Sequence, residues 1–210
     1  MLKRLVVLSA FVISTACAAH ADTISGFFSA TGTDSFTPST ITFGPSVVAG
    51  AIGGTFATYL TNGNPISFLP GALPYKNGAN TPPTAVFPSG TAPIFSTSQN
   101  GATFTFNMTA YDAGYINNGT NGCSLGSTCL AVTGNGFFSA TGAVNGTSGP
   151  ATFSFTSQYV AGQPLASITT FSASTAASPG ASPVPEPSSL ALLGTGLFGV
   201  LGIARRKFGV

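Results

Sequence analysis

Residues 102–110, ATFTFNMTA, alternate apolar and polar side chains without a break. Phe104, Phe106 and Met108 fall on one face of an extended chain, and threonine and asparagine side chains fall on the other. A period of two is typical of a β-strand with one face in the core and the other in water. The stretch therefore predicts a sheet that buries one of its faces.

Similar short runs recur from residue 23 to 175, separated by glycine, proline and asparagine. They lie at 24–31, 36–43, 55–60, 93–97, 130–133, 136–141, 152–158 and 168–173. No window between the two termini shows a helical stripe. Many short strands, without helices to cover a parallel sheet, predict an all-β fold: an antiparallel β-sandwich of roughly eight to ten strands.

Two internal echoes support this interpretation. The heptapeptide GFFSATG occurs at 26–32 and again at 136–142, and ATFTF at 102–106 returns as ATFSF at 151–155. We interpret the echoes as strands in equivalent positions, although chance repetition in a chain rich in Ser, Thr, Gly and Phe is the alternative. The residues expected to point into the core are Phe104, Phe106, Phe153 and Phe155.

The pattern breaks between residues 65 and 93, which contain seven prolines. Because proline cannot donate a hydrogen bond to a central ladder, this segment is expected to run over the surface or along a sheet edge. Tyr75 and Lys76 lie at its centre. They are the best candidates for a ligand contact, and a solvated loop tip is the alternative.

The charge of the region 22–187 excludes one large class of partner. One lysine, Lys76, stands against four acidic residues, which gives this region a formal charge of −3. Neutralising phosphates needs clustered lysine and arginine, so no nucleic-acid partner is expected.

Catalytic groups are scarce in the same region, which has no histidine. A carboxylate pair could come only from Asp22, Asp34 and Asp112, and each is interpreted as an ordinary terminal or turn residue. We therefore expect no enzyme activity, no catalytic residues, no metal site and no cofactor.

Two cysteines of this region, Cys123 and Cys129, enclose only five residues. In an exported chain this spacing predicts a disulfide between them. A redox motif would need the tighter Cys-x-x-Cys spacing, and a zinc site would need further soft ligands.

Residues 1–21 have the layout of a cleavable secretory signal: two basic residues, an apolar core at 5–13 and a small-residue end, Ala-His-Ala. We expect signal peptidase to cut between Ala21 and Asp22. Lipoprotein processing at Cys17 is disfavoured because a serine occupies the position that needs a large aliphatic residue. An uncleaved anchor is disfavoured by the short apolar core.

The last twenty-eight residues combine three segments in a fixed order. A proline-rich signal contains Pro185, Glu186 and Pro187, and an uncharged apolar run follows at 190–204. A helix there would span roughly 22 Å, which is short for a bilayer. The basic cluster that follows is expected to stop transfer and to stay cytoplasmic; it consists of Arg205, Arg206 and Lys207.

This order resembles the PEP-CTERM sorting domain of Gram-negative bacteria, some members of which are labelled "ice-binding protein C-terminal domain". The resemblance implies export and recognition by exosortase, a membrane enzyme, with Pro185, Glu186 and Pro187 as the recognition motif. A plain membrane anchor behind a proline linker is the alternative, but it has no need of a glutamate between two prolines. The resemblance covers only the tail, so it implies nothing about the fold in front of it.

These observations predict four segments. They are a signal helix at 1–21, an exported β-sandwich at 22–175, a tether with the Pro-Glu-Pro motif at 176–187, and a short transmembrane helix with a basic tail at 188–210. Two functions fit: a structural protein of the cell surface or extracellular matrix, or a module that binds extracellular polysaccharide or ice. Expected partners are signal peptidase, an exosortase-type enzyme and, through the C-terminal helix, the membrane.

Overall fold

The computed structural model describes residues 23–80, 92–117, 127–160 and 168–180. Within these residues the chain forms β-strands and one short helix. The elements are β1 Gly26–Thr37, β2 Thr40–Gly54, α1 Thr55–Tyr59, β3 Pro65–Phe68, β4 Leu73–Pro74, β5 Gly78–Asn80, β6 Ala92–Gln99, β7 Ala102–Asn117, β8 Ser127–Gly142, β9 Gly146–Thr147, β10 Ala151–Val160 and β11 Thr169–Ala177. No helix of this described part has the length and apolarity needed to cross a membrane.

Eight of the strands close into an antiparallel barrel. Their order is β7, β6, β3, β2, β1, β11, β10 and β8, and the long β7–β8 hairpin joins the last strand to the first. The all-β prediction is confirmed, but the predicted sandwich is wrong. Closure leaves none of the eight principal strands without a neighbour on one side, whereas an open sheet would have two free edges.

The long strands make this closure possible. β1 has 12 residues, and β7 and β8 have 16 each. Register shifts interrupt the pairing of β1 with β2 at Phe28/Ala30 and at Gly32/Asp34. Another shift interrupts the β7–β8 pairing between Met108 and Ala110. Such bulges bend a strand and increase its twist, so the sheet curls until its two ends pair.

Aromatic rings fill the interior. Phe104, Phe106, Phe153 and Phe155 are buried, which confirms their predicted orientation. The two heptapeptide echoes also meet in the core. Phe28 and Phe138 are their second phenylalanines, and the ring centroids lie 5.9 Å apart. Each repeat thus places its second phenylalanine in the core, and the first, Phe27 or Phe137, lies on the outer face.

Glycine is required at the first position of both copies of this repeat, and a Cβ atom at Gly26 would lie 2.1 Å from the carbonyl oxygen of Gly53. A Cβ atom at Gly136 would lie 2.0 Å from the carbonyl oxygen of Asn107 in β7. The close approach of β7 and β8 therefore depends on the missing side chain.

Four of the predicted strands differ from the structure. The run at 36–43 crosses the turn between β1 and β2, and the runs at 130–133 and 136–141 belong to the single strand β8. The run at 55–60 is largely α1, because Phe56 and Leu60 are four residues apart and both enter the core. Phe56 packs edge-on against Phe28, Phe104 and Phe138, with centroids 4.9–5.1 Å apart.

The proline-rich segment is partly built into the sheet rather than passing over it. Pro65 opens β3, which lies in the closed ring between β2 and β6. Pro74 ends β4, which pairs with β2, and Pro93 precedes a register shift in β6. These are strand-end or irregular positions, where a missing N–H costs least. Residues 81–91 lie outside the described ranges.

Candidate functional site

Most of the site residues predicted from the sequence lie outside the described residues. These are Ala21, Asp22, Cys123, Pro185, Glu186, Pro187, Arg205, Arg206 and Lys207. Cys129 is described and lies in β8 opposite Ile116 of β7. Because its predicted partner is not described, the disulfide stays a prediction. The predicted signal and transmembrane helices likewise lie outside the described residues.

Tyr75 and Lys76 are neighbours in the chain, but one is buried and the other is exposed. Tyr75 is buried, and its hydroxyl donates a hydrogen bond to the carbonyl of Thr37 at the end of β1. Lys76 is exposed, and its backbone N–H donates to Oδ1 of Asn80 at 2.9 Å. Tyr75 is therefore part of the packing and is not available as a ligand contact at a loop tip.

Asp34 is a buried polar residue that the sequence analysis placed in a turn, and that placement is wrong. It lies within β1, 2% exposed, on the side of the strand that faces the interior. Its Oδ1 accepts hydrogen bonds from the hydroxyls of Ser157 in β10 and Thr169 in β11, both at 2.8 Å. Oδ2 is buried without a hydrogen-bond partner in the described structure. The carboxyl thus links three neighbouring strands.

The hydrogen bonds of the Asp34 side chain that the described residues show are to hydroxyl groups. Asp112, another described carboxylate, is exposed on β7 and pairs with Ala79 and Thr133. Within the described ranges, no three His, Cys, Asp or Glu side chains are close enough to hold a metal ion.

Burial raises the pKa of the Asp34 carboxyl, and the hydrogen bonds from Ser157 and Thr169 oppose this only in part. The unfolded chain ionises near its ordinary value of about 3.9, whereas the folded chain resists ionisation. The contribution of Asp34 to stability should therefore be fully present below that pH and be lost as the pH rises through the folded pKa.

Asp34→Asn should remove this loss, because an amide has almost the shape of the protonated acid and does not ionise. We expect the variant to match the natural protein at acidic pH and to exceed its stability at pH 7. Urea unfolding between pH 4 and 8 measures both. Asp112→Asn, at an exposed position, is the control, and its free energy of unfolding should depend on pH as that of the natural protein does. The same pH dependence in all three proteins would mean that Asp34 does not cause the loss of stability.

The outer surface carries an open groove of about 810 Å³. Its floor is a row of residues paired across three strands: Asn135 of β8, Thr152 of β10 and Ala176 of β11. Thr147 and Phe137 also line it. Among the described residues that line this groove, none is charged.

The segment that forms one wall of the groove is held by hydrogen bonds. The hydroxyl of Ser148 accepts the N–H of Phe138 at 2.8 Å and donates to the carbonyl of Gly149 at 2.7 Å. The N–H of Gly149 donates to the carbonyl of Ser178, and the N–H of Ser178 donates to that of Pro150. The chain therefore stays bonded to the barrel to residue 178, beyond the predicted start of the tether at 176.

The comparisons with known proteins concern the tail. The family model described as the PEP-CTERM protein-sorting motif matches residues 183–207. No curated protein and no solved structure matches the chain. The motif implies export, a membrane-anchored precursor and processing by exosortase at the membrane. The sequence prediction for the tail is thus confirmed: the chain carries a PEP-CTERM protein-sorting motif over residues 183–207.

Proposed function

We propose that this chain is a non-enzymatic protein of the cell surface or extracellular matrix. The match of residues 183–207 to the PEP-CTERM protein-sorting motif carries the proposal. In this account the β domain is the cargo, and the two ends of the chain direct its delivery.

The order of the segments sets the route. Signal peptidase removes residues 1–21, and the region from Asp22 onward crosses the inner membrane. The apolar run at 190–204 then halts transfer, because the basic cluster at 205–207 stays on the cytoplasmic side. Pro-Glu-Pro is left just outside the membrane, where a membrane-embedded enzyme can reach it.

The chemistry of the β domain supports a non-enzymatic role. The region 22–187 has no histidine to act as a general base at neutral pH. Asp34 lies in the core, bonded to two hydroxyls, and has no open approach from solvent. Neutral hydroxyl and amide side chains dominate the outer faces of β10 and β11.

Antibody labelling of intact producing cells tests the location. Antibodies against the β domain should label cells that have not been permeabilised, or should detect the protein in the medium. A matched chain that ends at residue 182 lacks the motif and should remain in the periplasm. Natural protein detected only after permeabilisation would contradict a surface role.

A second candidate function is that of a binding module for polysaccharide or ice. The uncharged groove beside Asn135 and Thr152 favours polysaccharide, since a concave site with hydrogen-bonding groups suits a polymer chain.

A further inference from the structure

We propose that the groove lined by Asn135, Phe137, Thr147 and Thr152 is a binding site for a neutral polysaccharide. This inference rests on the proposed function to the extent that a surface location brings the domain into contact with extracellular polymer. It adds a site, a ligand class and the groups that make the contacts.

The groove offers hydrogen-bonding groups that the protein does not use. The amide of Asn135 and the hydroxyls of Thr147 and Thr152 make no hydrogen bond with any described residue, and all three residues are exposed. An amide has separate donor and acceptor atoms, and a hydroxyl can do both. A sugar hydroxyl also donates and accepts, so these three side chains can pair with neighbouring hydroxyls of a glycan.

An apolar surface completes the chemistry. Phe137 lies on the outer face of β8 and is partly exposed, whereas the next residue, Phe138, is in the core. Pro150 and Ala176, which also line the groove, add further apolar area. Sugar rings have apolar C–H faces beside their hydroxyls, and a mixed lining with a few placed polar groups is typical of ligand clefts.

The uncharged side chains of the described lining favour a neutral polymer over an acidic one. None of the described residues that line the groove is charged. Lys76 lies before β5, and the exposed Asp112 of β7 pairs with Thr133, two residues from Asn135 on β8, so the nearest charge along these strands is negative. An acidic polysaccharide would lose water from its carboxylates or sulfates here without gaining a cation in exchange. A neutral chain has no such cost.

Size and rigidity also fit a polymer segment. The volume of about 810 Å³ lies within the usual range for ligand clefts, and the groove is open rather than enclosed. Its wall is fixed by the bonds of Ser148 and Gly149, so binding does not have to order it. Beyond Thr152, the exposed hydroxyls of Ser154 and Thr156 continue along the outer face of β10.

Affinity electrophoresis of the full chain in detergent tests the proposal. The gels contain hydroxyethyl cellulose, dextran or galactomannan as neutral probes and alginate as the acidic probe. We expect at least one neutral probe to retard the protein, and alginate to have no effect. Asn135→Ala with Thr152→Ala should weaken that retardation at least tenfold.

The matched control carries Thr42→Ala and Ser67→Ala. Both residues are exposed, on β2 and β3, which lie across the ring from β8 and β10. This control should bind within twofold of the natural protein, and thermal unfolding should show all three chains folded alike. Phe137→Leu provides a second variant that keeps a branched apolar side chain but removes the ring, and it too should weaken binding.

Three results would overturn the proposal: no retardation by any neutral probe, equal weakening in the groove and control variants, or retardation by alginate alone. The test is independent of sorting, because precursor from the membrane fraction serves as well as processed protein. The experiment therefore distinguishes a groove that does not bind polysaccharide from a protein that does not reach the cell surface.

Discussion

Replacing Phe138 by alanine should lower the free energy of unfolding by about 3–5 kcal/mol, enough to threaten the fold of a marginally stable domain. Phe138 has no exposed surface. Its ring lies 4.9 Å from that of Phe56, 5.2 Å from that of Phe106 and 6.0 Å from that of Phe95. Truncation would leave a cavity among rings on three separate elements, which cannot all move inward together.

Phe27→Ala is the matched control, because it changes the same residue type in the same repeated heptapeptide. Phe27 is 48% exposed and its ring covers Gly53 on the outer face. We expect it to cost less than about 1 kcal/mol. Urea unfolding of both variants, followed by circular dichroism, gives the comparison. Equal losses would mean that the inward and outward faces of the repeat are wrongly assigned.

Glu186→Ala should abolish processing of the tail and leave the protein in the membrane. The sequence predicts that the glutamate between two prolines is recognised by exosortase, so without it the apolar run should stay in place as an anchor. The retained form should be about 2–3 kDa heavier than the processed protein. This difference is the mass of the lost tail, at about 0.1 kDa per residue, since the chain of 210 residues has a mass of 20.9 kDa. Immunoblotting of membrane and surface fractions measures the shift.

Ser182→Ala controls for a change in the same tether outside the motif. It should be processed as the natural protein is. If Glu186→Ala and Ser182→Ala are both processed normally, Glu186 is not part of the recognition motif.

The strand content was predictable because alternation is a local signal. Phe104 and Phe106 lie inside because their neighbours on β7 are polar, and no distant contact is needed to infer this. The barrel was not predictable in the same way. A sandwich and a barrel have the same alternation along each strand. They differ in whether the two ends of the sheet pair with each other, as β7 and β8 do here.

The position of Asp34 was predicted from the turn-like residues around it, although the alternation of apolar and polar residues along β1 was the better guide. The sequence Gly-Thr-Asp-Ser at 32–35 is typical of a turn. Yet Asp34 is an even number of residues from Phe28 and Phe36, which are both buried, so the alternation of β1 already placed it inside. Its partners Ser157 and Thr169 come from strands more than a hundred residues away, and no local pattern identifies them.

The groove had no sequence signal. Asn135, Thr152 and Ala176 become neighbours only through the register of β8, β10 and β11. The sorting motif is the opposite case. The residues that match the family model all lie within 183–207, so the motif can be identified from one short stretch of sequence.

The most direct test of the account is the mass of the C-terminal peptide of natural protein recovered from the cell surface or the medium. If the sorting motif is processed, that peptide should end near Pro185, Glu186 and Pro187, without the apolar run. Recovery of protein that still carries Arg205, Arg206 and Lys207 would show that the tail is only an anchor and would contradict the account.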